Sequence, residues 1–152
     1  MNVKLLGWVT GFLFICLTSS VTAADVYIQK KSQYGVSETL DRLVSVLKKK
    51  GITIFTRVNH TEGAKRVGLK MLDTQLLIFG NPKMGTPLMN ENILMGLDLP
   101  MKALAYKDEN NQVWLAYLNP VELQSRHNIK NKTIIKKMSQ ALNGLTNKAL
   151  GK

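Results

Sequence analysis

One hairpin constrains the fold of this chain more than any other segment. Residues 99–106 and 112–118 are two largely apolar stretches, and the polar residues 108–111 separate them. This pattern predicts two antiparallel strands joined by a tight turn. The second strand is apolar on both faces, so we expect helices to cover one face of the sheet and a second subunit to cover the other. The hairpin therefore predicts an antiparallel sheet in a homodimer.

The N-terminus indicates which residues take part in that fold. Lys4 precedes an apolar run at residues 5–17, and small residues ending at Ala23–Ala24 follow it. The run is shorter than the roughly 20 residues that span a bilayer, so the pattern predicts a cleaved secretory signal peptide. An uncleaved membrane anchor is the alternative. We expect residues 1–24 to be removed and residues 25–152 to form one exported domain, periplasmic or secreted.

Cleavage would remove the only cysteine, Cys16, and leave a basic domain without thiols. Disulfides and thiolate sites are thereby excluded, and stability must come from a packed core. The chain has a formal net charge of +11. An exported domain does not meet nucleic acid, so the expected binding partners of this charge are anionic lipid headgroups, envelope polymers or an acidic partner. One basic group either contacts an anionic membrane surface or simply faces solvent: Lys130, Lys132, Lys136 and Lys137.

The periodicity of apolar residues predicts the fold class. Three further strands are expected at residues 26–31, 52–58 and 74–79, where β-branched or alternating residues are frequent. Helical patterns lie between and after the strands. We predict an α+β domain with a mainly antiparallel sheet, helices packed on one face and the order βαββαββα.

The predicted helices are placed by their apolar stripes and capping residues. The first helix presents one apolar stripe: Leu40, Leu43, Val44 and Leu47. Side-chain chemistry assigns the three helix N-caps to Ser37, Thr86 and Thr133. The second helix is expected to end near Gly96, and the last, at about residues 133–150, to be amphipathic.

The loop after the third predicted strand is the clearest candidate site. Gly80 and Gly85 allow close approach of the backbone to a ligand, and Lys83 adds positive charge. A helix that begins at Thr86 would present unpaired amides, which suit a phosphate or carboxylate. With Asn81, these residues predict a site for a small anionic or cofactor-like ligand. A purely structural strand-to-helix turn is the alternative.

His60 is a second candidate because it follows the second predicted strand. A histidine there can carry protons, as the general base of a hydrolase or isomerase, or can bind a metal or haem. The alternative is a surface or capping residue. His127 lies in a basic polar stretch, and no functional role is predicted for it. The chain has no Gly-x-Ser-x-Gly motif, zinc-peptidase motif or evident carboxylate pair. Binding is therefore favoured over catalysis, and the scattered methionines predict core packing.

Several segments together resemble the domain of unknown function 302 family. The similarity covers roughly residues 35–120, and Gly80-Asn81-Pro82-Lys83 is its most distinctive part. His60 to Leu69, Asp98-Leu99-Pro100 and residues 113–120 follow the same pattern. The resemblance implies a compact α+β domain, often dimeric, and implies no known reaction.

The resemblance also shapes the functional prediction. The sequence departs from the family pattern at two positions. Asn59 stands where an acidic residue often precedes the histidine, which weakens an Asp–His pairing. Asp73 stands where proline is frequent. One motif set contains His60 and the 80–87 loop, and if the strands that carry them are neighbours, we expect both at the same end of the sheet. We predict an exported small-ligand-binding module. The alternatives are a haem- or metal-binding protein with His60 as ligand and an envelope-interaction domain that binds anionic surfaces.

Overall fold

The computed structural model describes residues 26–152, so the predicted signal peptide and its cleavage site lie outside the described residues. These residues form five strands, five α-helices and one 3₁₀ helix. In chain order they are β1 (Tyr27–Ser32), α1 (Val36–Lys49), β2 (Thr53–Asn59), α2 (His60–Arg66), β3 (Thr74–Gly80), α3 (Pro82–Glu91), the 3₁₀ helix (Ile93–Leu97), β4 (Met101–Lys107), β5 (Val113–Leu118), α4 (Pro120–His127) and α5 (Lys132–Ala149). None of the helices within residues 26–152 has the length and hydropathy of a membrane span.

The five strands form one sheet with the order β1-β5-β4-β3-β2, and every neighbouring pair is antiparallel. The predicted hairpin is β4–β5, at the centre of the sheet. Its turn is held by Asp108, whose carboxylate accepts hydrogen bonds from the amides of Asn110 and Gln112 and from the indole of Trp114. The predicted α+β class and antiparallel sheet are confirmed.

The core lies between one face of the sheet and the helices α1 and α5. Alternate residues of β3, β4 and β5 are buried on this face, including Leu77, Ala103 and Leu115. The predicted stripe of α1 packs here, with Leu40, Leu43 and Leu47 fully buried and Val44 partly buried. On the opposite face, the intervening residues of the same strands are mostly half-buried.

All three predicted helix N-caps are wrong. Helix α1 begins one residue before Ser37, and its N-cap Gly35 makes no side-chain capping bond. Helix α3 begins at Pro82 after Asn81, and α5 begins at Lys132 after Asn131, so Thr86 and Thr133 lie inside helices. The short side-chain amide of asparagine reaches the first free amides as effectively as a hydroxyl does.

The structure also adds two short helices to the predicted order. The polar segment after β2 forms two turns of helix, α2, and the segment after β5 forms α4. Helix α3 ends at Glu91, and the chain continues into the 3₁₀ helix instead of extending α3 toward Gly96.

Candidate functional site

A cavity of about 240 Å³ lies beneath the loop that the sequence singles out. Its lining comes from β2, β3, α3, the segment before β4, and α5, so distant parts of the chain converge on it. Of the predicted site residues, Asn81, Gly85 and Thr86 line the cavity. Most of the remaining lining is apolar and includes Phe55, Phe79, Met84, Met89, Met138 and Leu142.

Two glycines shape the wall of this cavity. A Cβ atom on Gly80 would lie 3.2 Å from Cβ of Pro100 and 3.3 Å from Cε2 of Phe55, so only glycine permits this close packing without movement. A Cβ atom on Gly85 would lie 3.5 Å from Cδ1 of Leu99, an ordinary contact. Gly80 thus allows the segment before β4 to pack against the end of β3. Gly85 borders the cavity, and a larger side chain there would reduce its volume.

The N-terminus of α3 does not present the free amides that the sequence predicts. The Asn81 side chain accepts a hydrogen bond from the amide of Lys83 at 3.0 Å. The Asn81 carbonyl accepts hydrogen bonds from the amides of Met84 and Gly85. Because the helix begins at Pro82, Thr86 lies in its second turn. The expectation that amides near Thr86 hold an anion is therefore wrong, and the exposed Lys83 is not among the cavity-lining residues.

His60 lies at the other end of the β2–β3 pair. Asn59 is opposite Gln75, whereas Thr53 is opposite Gly80, so roughly 20 Å of strand separates His60 from the loop that follows Gly80. The expectation that both lie at one end of the sheet is wrong, and one small ligand does not reach both.

The surroundings of His60 also differ from those of a buried cofactor. Its side chain is exposed, and α2 has no buried residue to form an apolar crevice for haem. Among residues 26–152, no group of three or more His, Cys, Asp or Glu residues is placed to hold a metal ion.

The structure reveals a polar cluster that the sequence analysis missed. Asp98 Oδ2 lies 2.6 Å from Nε2 of His127, and Asp98 Oδ1 accepts a hydrogen bond from Nη1 of Arg126 at 2.7 Å. The His127 side chain is only 7% exposed. Burial alone would raise the pKa of Asp98, but the hydrogen bonds and charges of His127 and Arg126 outweigh it and lower that pKa.

This cluster holds one wall of the cavity in place. Asp98 directly precedes Leu99, Pro100 and Met101, which all line the cavity. A second link joins the same parts, because the Asn92 side chain donates a hydrogen bond to the carbonyl of His127. Asp98-Leu99-Pro100 belongs to the resembled pattern, but its partners lie 28 and 29 residues further along the chain, where no spacing rule points to them.

A second concave region, the open-face groove, lies on the sheet face opposite α1 and α5. It has a volume of about 520 Å³, and its lining includes Tyr27, Gln29, Lys102, Leu104, Tyr106 and Arg126. The Tyr106 hydroxyl donates a hydrogen bond to the Gln29 side chain across the groove. This groove is broader and more polar than the cavity.

Comparison with known proteins identifies the class of domain. The family described as "Domain of unknown function DUF302" matches residues 28–145, which include every cavity-lining residue and the Asp98 cluster. A crystal structure of an uncharacterized conserved DUF302 protein from Bacillus stearothermophilus has a TM-score of 0.74 and 25% sequence identity, and the match covers 82% of this chain and 98% of that one.

Two curated relatives are named for an activity. The chain is 44% identical over 99 residues to "Fluoride-specific ion channel FluC 1" of Brucella suis and of Brucella abortus. The match covers 65% of this chain but only 39% and 37% of the two relatives. The chain thus spans less than two fifths of the length of these proteins.

Proposed function

The chain belongs to the DUF302 family, and on that premise we propose that it is a small-ligand-binding domain whose ligand occupies the cavity beneath the start of α3. The observation that supports this proposal is the cavity itself, because five parts of the fold converge on about 240 Å³ of largely apolar space. Ligand pockets in proteins are typically concave, mostly apolar and largely pre-formed. We also propose that the domain acts outside the cytoplasm, since the N-terminal pattern is typical of a secretory signal.

The chemistry of the lining favours a ligand with an apolar body. Four methionines line the cavity, Met84, Met89, Met101 and Met138, and flexible thioether side chains adapt to ligands of varied shape. Thr86 contributes a hydroxyl group, and the neighbouring Lys83 adds a positive charge outside the cavity. We therefore propose an amphiphile, with its chain or ring inside and a polar or acidic head group near Thr86 and Lys83. His60 is too distant to take part.

The proposal is tested with decanoate as the probe, by following backbone amide NMR signals during titration. We expect shifts that cluster around α3 and the start of β4. In Gly85→Leu the new side chain extends from the cavity wall, and we expect about a tenfold or greater loss of affinity from steric crowding. Gly144→Leu is the matched control, because a Cβ atom there has no neighbour within 4 Å, and its affinity should equal that of the wild type.

Two further probes distinguish the parts of the proposal. If Lys83 contacts an acidic head group, Lys83→Gln weakens decanoate and leaves decanol unchanged. Sodium fluoride should leave the cavity signals unmoved, because carbon atoms dominate the lining. Decanoate shifts that persist in Gly85→Leu, or an absence of shifts in the wild type, would contradict the assignment of this cavity as the site.

A further inference from the structure

The segment between α2 and β3 is exposed without interruption. All eight residues from Lys65 to Leu72 are exposed. Four of them are large apolar residues, Val67, Leu69, Met71 and Leu72, with exposures of 70%, 66%, 43% and 46%. A contiguous exposed apolar patch on a small domain is typical of a protein or membrane contact.

Positive charges are interleaved with these apolar residues. Lys65 and Arg66 precede Val67, and Lys70 lies between Leu69 and Met71, so the segment has three cations and no acid. The nearest acidic residues in the chain are Glu62 and Asp73. The Asp73 carboxylate accepts weak hydrogen bonds from the side chains of Thr61 and Gln75, so it is directed toward the protein.

Hydrogen bonds fix the backbone of this segment, whereas its side chains remain exposed. The Thr61 hydroxyl accepts a hydrogen bond from the amide of Thr74 at 2.8 Å and donates one to the carbonyl of Leu72. At the other end, the amide of Leu69 donates to the carbonyl of Ala64 at 3.0 Å. These bonds hold a compact loop, so little chain entropy is lost when its apolar residues become buried.

We propose that residues 65–72, the basic apolar loop, dock the domain on an anionic lipid surface. Apolar side chains gain by entering the interfacial region, and each lysine or arginine near an anionic leaflet contributes about a fivefold gain in affinity. The interleaved cations match the charge of lipid headgroups.

This docking surface is distinct from the proposed ligand site. The loop leads into the start of β3, whereas the cavity is at the end of β3, beyond Gly80. A domain that rests on a membrane by the basic apolar loop therefore keeps its cavity at the far end of the sheet. The four lysines near α5, which the sequence analysis considered for membrane contact, are not required.

The test places a nitroxide label at Leu69→Cys in the full chain, with Cys16→Ser to leave one thiol. Ile93→Cys is the matched control, because Ile93 is also highly exposed, at 77%, but lies in the 3₁₀ helix. Accessibility to oxygen and to a nickel chelate is measured by EPR with phosphatidylglycerol vesicles and with phosphatidylcholine vesicles. We expect the label at 69 to enter lipid only in phosphatidylglycerol, and the label at 93 to stay in water. The positional comparison separates the loop from any effect of the N-terminal apolar run.

Charge variants test the electrostatic part. The double variant Lys65→Gln/Lys70→Gln should bind the vesicles more weakly. The lipid concentration at which half of the labels at position 69 are in lipid should rise by about 25-fold. Lys136→Gln with Lys137→Gln removes the same charge from α5 and should change it less than about twofold. A label at 69 that stays in water, that enters both lipids equally, or that becomes protected at high protein concentration without vesicles would overturn the proposal. The last result would indicate a protein contact.

Discussion

At the residue scale, Asp98 connects the electrostatics of the fold with the proposed ligand site. It pairs with Arg126 and His127 and directly precedes a wall of the cavity. We expect Asp98→Asn to lower the free energy of unfolding by about 2 kcal/mol at pH 7, because it removes a charge-assisted bond from a partly buried pair. Chemical unfolding in urea measures this loss, and decanoate binding should weaken as the wall loosens.

The pH dependence of this loss follows from the lowered pKa of Asp98. A carboxylate with a lowered pKa in the folded state stabilises the protein fully above its unfolded value of about 3.9. The stabilisation is lost as the pH falls below that value toward the folded pKa. The free energies of unfolding of the wild type and of Asp98→Asn should therefore converge at low pH.

Asp41→Asn is the control, because it removes an exposed ion pair with Arg57, and it should lower the free energy of unfolding by about 1 kcal/mol or less. A constant difference across the pH range would contradict the assignment.

Some residues of the candidate site could be predicted from the sequence, and others could not. The Gly80–Pro87 segment could be singled out because glycine, lysine and proline follow a strand, and it does line a cavity. His60 lies far from it because β2 and β3 are antiparallel neighbours, so the end of β2 meets the start of β3 and not its end. Sequence patterns do not show which strands are neighbours. The Asp98 cluster was missed for a related reason. Its partners come from α4, and only the tertiary fold brings α4 beside the segment before β4.

At the element scale, asparagine caps every helix of residues 26–152 except α1. The N-caps of α2, α3, the 3₁₀ helix, α4 and α5 are Asn59, Asn81, Asn92, Asn119 and Asn131. In each case the side chain accepts a hydrogen bond from an amide of the first turn. The sequence predicted strands and helical stripes well because apolar periodicity reports burial directly. It misplaced the starts of α3 and α5 because threonine and asparagine both cap well and compete within two to five residues.

Two of these caps make a matched pair for experiment. Asn81→Ala and Asn131→Ala should each lower the free energy of unfolding by about 1 kcal/mol, since each removes one capping bond. Only Asn81 lies on the cavity, so only Asn81→Ala should also weaken decanoate binding. Urea unfolding and the NMR titration measure the two effects separately. Equal loss of binding in both variants would indicate that general destabilisation, and not the position of α3, controls the site.

At the scale of the whole molecule, the two faces of the sheet differ in what covers them. Helices α1 and α5 bury one face, whereas the other has half-buried apolar residues, including Leu76, Leu104 and Ala116. A single open face of an antiparallel sheet is usually polar. The apolar residues of this face favour burial against a second subunit, as the hairpin pattern predicts. The dimer remains a prediction.

We propose that two copies of the chain meet through the open-face groove. Five strands about 4.8 Å apart and roughly 20 Å long give a projected area on the order of 400 Å². The side chains and the rim of this face would have to supply the rest of the roughly 800 Å² per partner that a specific interface buries. Leu104 lies in this groove. We expect sedimentation velocity to show a dimer for the wild type and a monomer for Leu104→Glu, because a carboxylate there would lose its hydration when the two faces meet. Val121→Glu on α4, a site that is 49% exposed, should remain dimeric. A monomeric wild type at micromolar concentration would refute the dimer and leave the groove available to a ligand of its own.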